Sequence, residues 1–275
     1  MEIFGKDIII GPNFKSSDFG LITVSSENKS GESSDDVFKL DTETVYLGES
    51  PSSKFIKMNY SDALQATVTF MKDPCDRRAS DNKWMTFTEK ECRAIVRVIT
   101  GNHGFQWMRI IPEDMTDTEE IWYKVTINNV KYNRINSDIY TITIEITADS
   151  FMGYTPEITH KLSLTANKEK SMYIVTDDLN NYVQPVLKII PKSSGTLNLT
   201  NRSDGSGWTT TVKSVSANST ITFDCQNKLL TGATLNNFNL HWPRLVADKN
   251  TYISNITADL EFVYRAPLKA GWIAR

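Results

Sequence analysis

Cysteine and histidine are scarce in this 275-residue chain, which contains three of each. The cysteines are Cys75, Cys92 and Cys225, and the histidines are His103, His160 and His241. The cysteines are widely spaced and odd in number, which predicts neither a disulfide framework nor a zinc site. No histidine lies three or four residues from another ligand in a ligand-like pattern. We therefore expect no metal, and free thiols fit synthesis in a reducing compartment such as a host cytoplasm.

Long apolar runs are also missing, and no stretch approaches the roughly 20 apolar residues of a membrane-spanning helix. The opening "MEIFGKDIIIGPNF" has an acid before its apolar residues and no small-residue cleavage site, so we expect neither a secretory signal nor membrane insertion. Basic residues are not concentrated. Residues 1–148 carry 17 basic and 23 acidic side chains, and residues 149–275 carry 13 and 10. This balance argues against sequence-specific nucleic-acid binding.

Catalytic motifs are absent as well. The chain has no G-x-S-x-G, no H-E-x-x-H and no glycine-rich phosphate loop. The glycine-rich "NRSDGSGWT" predicts a hairpin loop, because no helix follows it. We expect no catalytic residue, no cofactor and no enzymatic activity. A hydrolase with paired carboxylates remains an alternative, although no motif selects two of the 33 acids.

Alternation of apolar and polar residues with a period of two dominates the chain. It occurs in "LQATVTF", "IWYKVTI", "YTITIEIT" and "ITADLEFVYR". In the third, Ile142, Ile144 and Ile146 face one way, while Thr143 and Glu145 face the other. Strands that are apolar on one face and polar on the other are antiparallel in most folds. The sequence predicts a mainly β protein.

One segment has the periodicity of a helix. In "TFTEKECRAIVRVITGNHG", Thr88 and Glu91 have the spacing of a capping box. Apolar residues follow at helical spacing: Cys92, Ile95, Val96 and Ile99. We predict an amphipathic helix at about residues 89–100 that lies on a sheet and ends at a left-handed Gly101.

A domain boundary is expected in "TADSFMGYTPE", where a strongly alternating strand ends and the sign of the net charge changes. Residues 1–148 would form a sandwich-like β domain that includes the helix. Residues 149–275 consist of short strand patterns separated by turn clusters, which is typical of a β-sandwich.

Six tryptophans raise the possibility of carbohydrate binding, because aromatic faces can stack on sugars. The candidates are Trp208, Trp242 and Trp272. The other three tryptophans stand in strand-like stretches and are more simply core or interface residues. A carbohydrate-binding adhesion module that recognises host cell-wall polysaccharide is therefore the alternative function.

The stretch "HWPRLVADKNTYISNI" contains a histidine, a tryptophan and several charges, yet it has the pattern of a connector. We predict a strand that ends near Pro243 and a turn over residues 247–250. Asp248 would bond to nearby backbone, and Asn250 would adopt the left-handed conformation of a tight turn.

The stretch "FNLHWPRLVADKNTYISNITADLEFVYR" resembles the end of the distal tail proteins (Dit) of siphophages that infect Gram-positive bacteria. "TITIEITADSFMGYTP" resembles the junction between that family's two domains. "VQPVLKIIPKSSGTLNLTNRSDG" resembles the opening of the second domain, and "STITFDCQNKLL" a strand that ends in a buried acid, here Asp224. The helix after "SDALQATVTFM" fits the first domain.

The resemblance implies a phage or prophage tail component located in the virion. Six copies of the first domain would close into a ring, and a galectin-like sandwich would surround it. The ring would join the tail tube to the baseplate hub or tail-associated lysin. Other oligomeric β proteins, including hub-like parts of contractile tails, are the remaining alternatives.

Overall fold

The structure is a computed structural model that describes residues 5–24, 40–46, 53–60, 63–75, 85–101, 104–112, 119–179, 181–205 and 207–269. The chain divides into two units. The first comprises residues 1–153 and 269–275, and the second comprises residues 154–268. Among the described residues, no helix has the length and apolar character needed to cross a membrane.

The first unit consists mainly of antiparallel strands. They are β1 (Asp7–Ile10), β2 (Phe14–Lys15), β3 (Leu21–Thr23), β4 (Leu40–Tyr46), β5 (Ser53–Tyr60), β6 (Gln65–Lys72), β7 (Gln106–Ile111), β8 (Trp122–Ile135) and β9 (Asp138–Ala148). Seven of these pair in the order β2-β1-β7-β8-β9-β6-β3 within a nine-stranded sheet, while β4 and β5 pair with each other. The two-residue strand β10 (Gly153–Tyr154) lies at the boundary of the units.

The two ends of this seven-strand path, β2 and β3, are neighbours in the sequence. A 3₁₀ turn, Ser16–Phe19, connects β2 at one end to β3 at the other. Phe14 of β2 contacts Phe70 of β6, with ring centroids 5.6 Å apart. Asp7 fixes the 3₁₀ turn by accepting hydrogen bonds from the hydroxyls of Ser16 and Ser17. Burial opposes ionisation of Asp7, but these hydrogen bonds hold the pKa of its carboxyl below the ordinary value.

The predicted amphipathic helix is α1 (Glu89–Thr100), and its apolar side is buried. Thr88 Oγ1 accepts a hydrogen bond from the Glu91 amide at 3.2 Å, and Glu91 Oε2 accepts one from the Thr88 amide at 2.7 Å. The predicted left-handed Gly101 is wrong, because its φ is −68° and ψ is −20°. The buried Gln106 side chain instead donates to the Ile99 carbonyl at 2.8 Å, so a residue of β7 satisfies the end of the helix.

The second unit contains two antiparallel sheets. Its strands are β11 (Ile158–Leu164), β12 (Lys170–Ile174), β13 (Val186–Pro191), β14 (Gly195–Asn201), β15 (Thr209–Val215), β16 (Ile221–Asp224), β17 (Leu229–Thr231), β18 (Asp248–Ser254), β19 (Ala258–Tyr264) and β20 (Pro267–Leu268). One sheet has the order β11-β19-β13-β16-β17, and the other has the order β12-β18-β14-β15.

The two sheets of the second unit enclose one hydrophobic core. Leu187 and Phe223 of the five-stranded sheet and Leu197 and Tyr252 of the four-stranded sheet belong to the same buried cluster. The glycine-rich loop predicted from "NRSDGSGWT" connects β14 to β15 as a hairpin. A mainly β, antiparallel fold with one amphipathic helix among the described residues confirms the predicted fold class.

The strand predicted to end near Pro243 is wrong. Residues 238–247 form an irregular extended connection with isolated bridges at Phe238 and Leu245. Asn239 explains the irregularity, because its side-chain oxygen accepts hydrogen bonds from the amides of Thr211 and His241. A side chain thus replaces part of the backbone ladder along the edge of β15.

The capping box gives a test of the helix assignment. Thr88→Ala removes the side-chain acceptor for the Glu91 amide, so we expect α1 to lose about 1 kcal/mol of stability. Native-state hydrogen exchange should then be roughly fivefold faster for the α1 amides. Lys90→Ala, at an exposed position of the same turn, is the control and should change exchange little. Equal exchange in both variants would contradict the assigned cap.

Candidate functional site

Two of the three tryptophans proposed for sugar stacking lie together in the second unit. Trp208 precedes β15, and Trp242 lies in the extended connection that follows residue 238. The indole Nε1 of Trp208 donates a hydrogen bond of 2.8 Å to the carbonyl of Trp242. The third, Trp272, lies outside the described residues.

The Trp208 ring belongs to a stack of four side chains. The guanidinium carbon of Arg244 lies 3.7 Å from the ring centroid of Tyr182 and 3.9 Å from that of Trp208. The ring of His241 stacks on Trp208 with centroids 4.4 Å apart and 18° between the planes. A sugar that stacked on Trp208 would compete with these contacts, so the geometry gives Trp208 a packing role.

Trp242 packs against the core of the sandwich. Its ring meets Phe223 and Phe238 edge to face, with centroid distances of 6.2 Å and 5.1 Å. Lys228 Nζ lies 5.5 Å from the centroid of the same ring. Pro243 beside it is buried. These contacts fix the extended connection on the sandwich.

A buried ion pair orients Arg244 within the stack. Arg244 Nε donates to Asp204 Oδ2 at 2.6 Å, and the side chain of Asp204 is only 2% exposed. Removing two charges from water is costly, and a close charge-assisted hydrogen bond with further contacts offsets that cost. The pair therefore joins the β14–β15 loop to the connection before β18.

The buried acid of this unit was predicted at the wrong position. Asp224 is half-buried at the end of β16 and accepts hydrogen bonds from the amide and side chain of Asn227. It caps a tight turn, whereas Asp204 is the carboxylate enclosed by the fold. Sequence reasoning missed Asp204 and Arg244, because they are 40 residues apart and no spacing rule connects them.

The turn before β18 also differs from the prediction. Asp248 adopts the left-handed conformation, with φ of 63°, and Asn250 is a fully buried strand residue. Asn250 Oδ1 accepts hydrogen bonds of 2.9 Å from the Val246 amide and from Asn201 Nδ2. Its Nδ2 donates to the Val246 carbonyl at 2.8 Å. Asn250 thus holds the turn through its amide group, and its own backbone remains extended.

The thiols and imidazoles form no reactive pair among the described residues. Burial raises the pKa of Cys225 to about 12, and burial also raises the pKa of Cys92. His160 stacks on Tyr264, and His241 stacks on Trp208. His103 lies outside the described residues. Within the described part of the chain, no three His, Cys, Asp or Glu side chains converge as metal ligands would.

The first unit has an open edge in its β8–β9 hairpin. β7 pairs with β8 only as far as Val125, whereas β9 pairs with β8 down to Ile135. β10 also pairs with β8, and its Gly153 lies beside Ile121 and Trp122, at the start of that strand. The registers of β7 and β9 leave the other side of β8 unpaired with either strand beyond Val125. Two apolar residues are exposed on this part of the strand, Tyr132 at 40% and Ile135 at 64%. Unpaired edges of this kind accept strands from other chains.

Family models match both parts of the chain. A model described as a phage tail protein N-terminal domain matches residues 12–150, and one described as a phage tail C-terminal domain matches residues 152–264. No curated protein sequence matches the chain significantly.

Solved structures share the fold over nearly the whole length. The chain is similar to the SPP1 Dit protein, described as a paradigm of the hub adsorption apparatus in phages that infect Gram-positive hosts, with a TM-score of 0.57. It is also similar to a chain of the phage P2 baseplate in its activated conformation, with Ca or with Sr, at a TM-score of 0.52. In each comparison the identity is 10%, with 94% of this chain and 98% of the other covered. At this identity the likeness establishes the fold.

The buried ion pair should dominate the stability of the second unit's loops. Arg244→Ala removes the cationic partner of the enclosed Asp204 carboxylate, so we expect the unit to lose about 3 kcal/mol. Urea unfolding followed by tryptophan fluorescence measures this loss. Arg202→Ala is the matched control, because its pair with Glu169 is exposed on both sides and should contribute about 0.5 kcal/mol. Similar losses in both variants would contradict the assigned role of Arg244.

Thiol reactivity tests the burial of the cysteines. Cys75 is exposed, whereas Cys92 and Cys225 are buried. At pH 8 we expect an aromatic disulfide reagent to modify one thiol per native chain rapidly and the other two only after unfolding. Cys75→Ser should abolish the rapid phase. A rapid phase that persists in this variant would show that a buried thiol is accessible.

Proposed function

Since this chain belongs to the phage tail protein family, whose models match both of its domains, we propose that it closes into a hexameric ring at the tail tip. As a tail protein it is a component of the virion. The ring would connect the tail tube to the baseplate hub or tail-associated lysin, and the role would be structural, without catalysis. The Dit-like fold over 94% of the chain supports this proposal.

The open β8 edge is the observation that carries the ring proposal. A ring is built from head-to-tail contacts, in which one surface of each copy binds a different surface of the next. Backbone N–H and C=O groups along an unpaired edge provide directional hydrogen bonds, and exposed Tyr132 and Ile135 provide apolar area to bury. Thus the first domain, residues 1–148, is the proposed ring-forming part.

The second domain, residues 149–275, is proposed to form a galectin-like sandwich outside the ring. Its two sheets of five and four strands share one core and do not need another chain to cover their inner faces. The Asp204–Arg244 pair and the aromatic stack fix its loops internally. A domain whose core and loops are held by its own residues can lie on the outside of an assembly.

An apolar residue on the hairpin gives the test of the ring. Ile135→Glu places a negative charge on the proposed contact while leaving the core unchanged, because Ile135 is 64% exposed. By light scattering, the wild-type assembly should have six times the 31.1 kDa chain mass, either alone or after mixing with tube and hub proteins. We expect Ile135→Glu to shift the mass toward that of a single chain.

Leu235→Glu is the matched control, because Leu235 is 56% exposed on the second domain. It should assemble as the wild type does. A wild-type chain that stays single with tube and hub proteins present would contradict the ring. Full assembly of Ile135→Glu would contradict the assignment of the hairpin to the contact.

A further inference from the structure

A cleft of ≈ 360 Å³ lies within the first unit between α1 and the β8–β9 hairpin. Its floor includes the apolar side chains of Val96 and Ile139. Its rim carries three arginines and a tyrosine, namely Arg93, Arg97, Arg134 and Tyr132, together with one acid, Glu89. An apolar floor below a cationic rim suits a peptide segment with both apolar and carboxylate side chains.

Among the described residues that line the cleft, Glu89 is the one carboxylate beside three arginines. Arg93 and Arg97 are exposed one turn apart on α1, and neither forms an ion pair with any residue that the structure describes. Arg134 donates a hydrogen bond of 3.1 Å to the Ser137 carbonyl, which carries no net charge. Like charges at this helical spacing repel each other. An anionic partner would remove that repulsion and form charge-assisted hydrogen bonds.

The cleft adjoins the open edge of the sheet. Tyr132 and Arg134 belong to β8, in the part of the strand that extends past the pairing with β7. A segment that paired with this edge would place alternate side chains above the cleft. The cleft and the edge therefore form one continuous surface.

We propose that this surface binds an acidic segment of a second copy of the chain, with carboxylates between Arg93, Arg97 and Arg134. Charge complementarity favours a second copy, because residues 1–148 carry 23 acidic and 17 basic side chains and three of those basic residues line the cleft. The same domain thus supplies both the cationic cleft and an excess of acids. This inference rests on the proposed ring and identifies one side of its contact.

The double variant Arg93→Gln/Arg97→Gln tests the proposal. Both residues are exposed and glutamine is a good helix former, so the variant should fold like the wild type in circular dichroism. Sedimentation velocity of the full chain should show self-association at least tenfold weaker than in the wild type. Self-association of the wild type should weaken as the salt concentration rises. The self-association of the variant should depend less steeply on salt. Lys90→Gln removes an exposed cation of the same helix away from the cleft and should remain within twofold of the wild type.

The outcomes of this experiment test the cleft proposal and the ring proposal separately. Equal assembly of the wild type and the double variant into rings would overturn the cleft proposal and leave the ring intact. Arginine-dependent association into dimers or open chains would support the cleft and overturn the closed ring. A wild-type chain that never self-associates would overturn both.

A photoreactive benzoylphenylalanine at position 132 identifies the occupant directly, because Tyr132 is on the rim and 40% exposed. We expect a crosslink between two copies, located by mass spectrometry in a peptide that contains Asp or Glu. Crosslinks only to tube or hub proteins, in a mixture that contains them, would overturn the choice of a second copy.

Discussion

Burial of one face of each antiparallel strand is the constraint on which both units depend. In β9, Ile142, Ile144 and Ile146 are buried, and the side chains between them point to the more exposed face. Because this alternation has a period of two, a shift of one residue in the pairing would expose the whole apolar set. The register is thereby fixed. A separate requirement is that the strands at the edges of an antiparallel sheet are paired or covered. In the first unit a short turn connects the two end strands β2 and β3, and Phe14 of β2 packs on Phe70 of β6.

Arginine has opposite roles in the two units. Arg244 is held by a buried carboxylate and lies over two aromatic rings, so its charge is used within the second unit. Arg93 and Arg97 lack such partners among the described residues and stand beside an open strand. The cost of holding like charges together is small while they are solvated, and an acidic partner would remove it. An arginine that is paired with a carboxylate of its own unit therefore maintains the fold, whereas arginines without such a carboxylate are available for assembly.

Features set by local physics were predictable from the sequence. The strand alternation and the capping box depend on residues within a few positions of each other, and the structure contains both. Features set by tertiary contacts were not predictable. Asp204 meets Arg244 across 40 residues, and Gln106 satisfies the end of α1 in place of a left-handed Gly101. Asn250 has the residue type of a turn, yet its amide group bonds to the turn from a buried strand position, which composition alone does not reveal.

The central proposal is that a strand of another chain pairs with the outer side of β8, residues 126–135. Hydrogen–deuterium exchange on the isolated chain and on the assembled tail tip measures this directly, because amides on an unpaired edge exchange rapidly and become protected when a strand pairs with them. The account predicts slower exchange across residues 126–135 on assembly and little change in the β14–β15 hairpin. Unchanged exchange at residues 126–135, with new protection elsewhere in the chain, would contradict it.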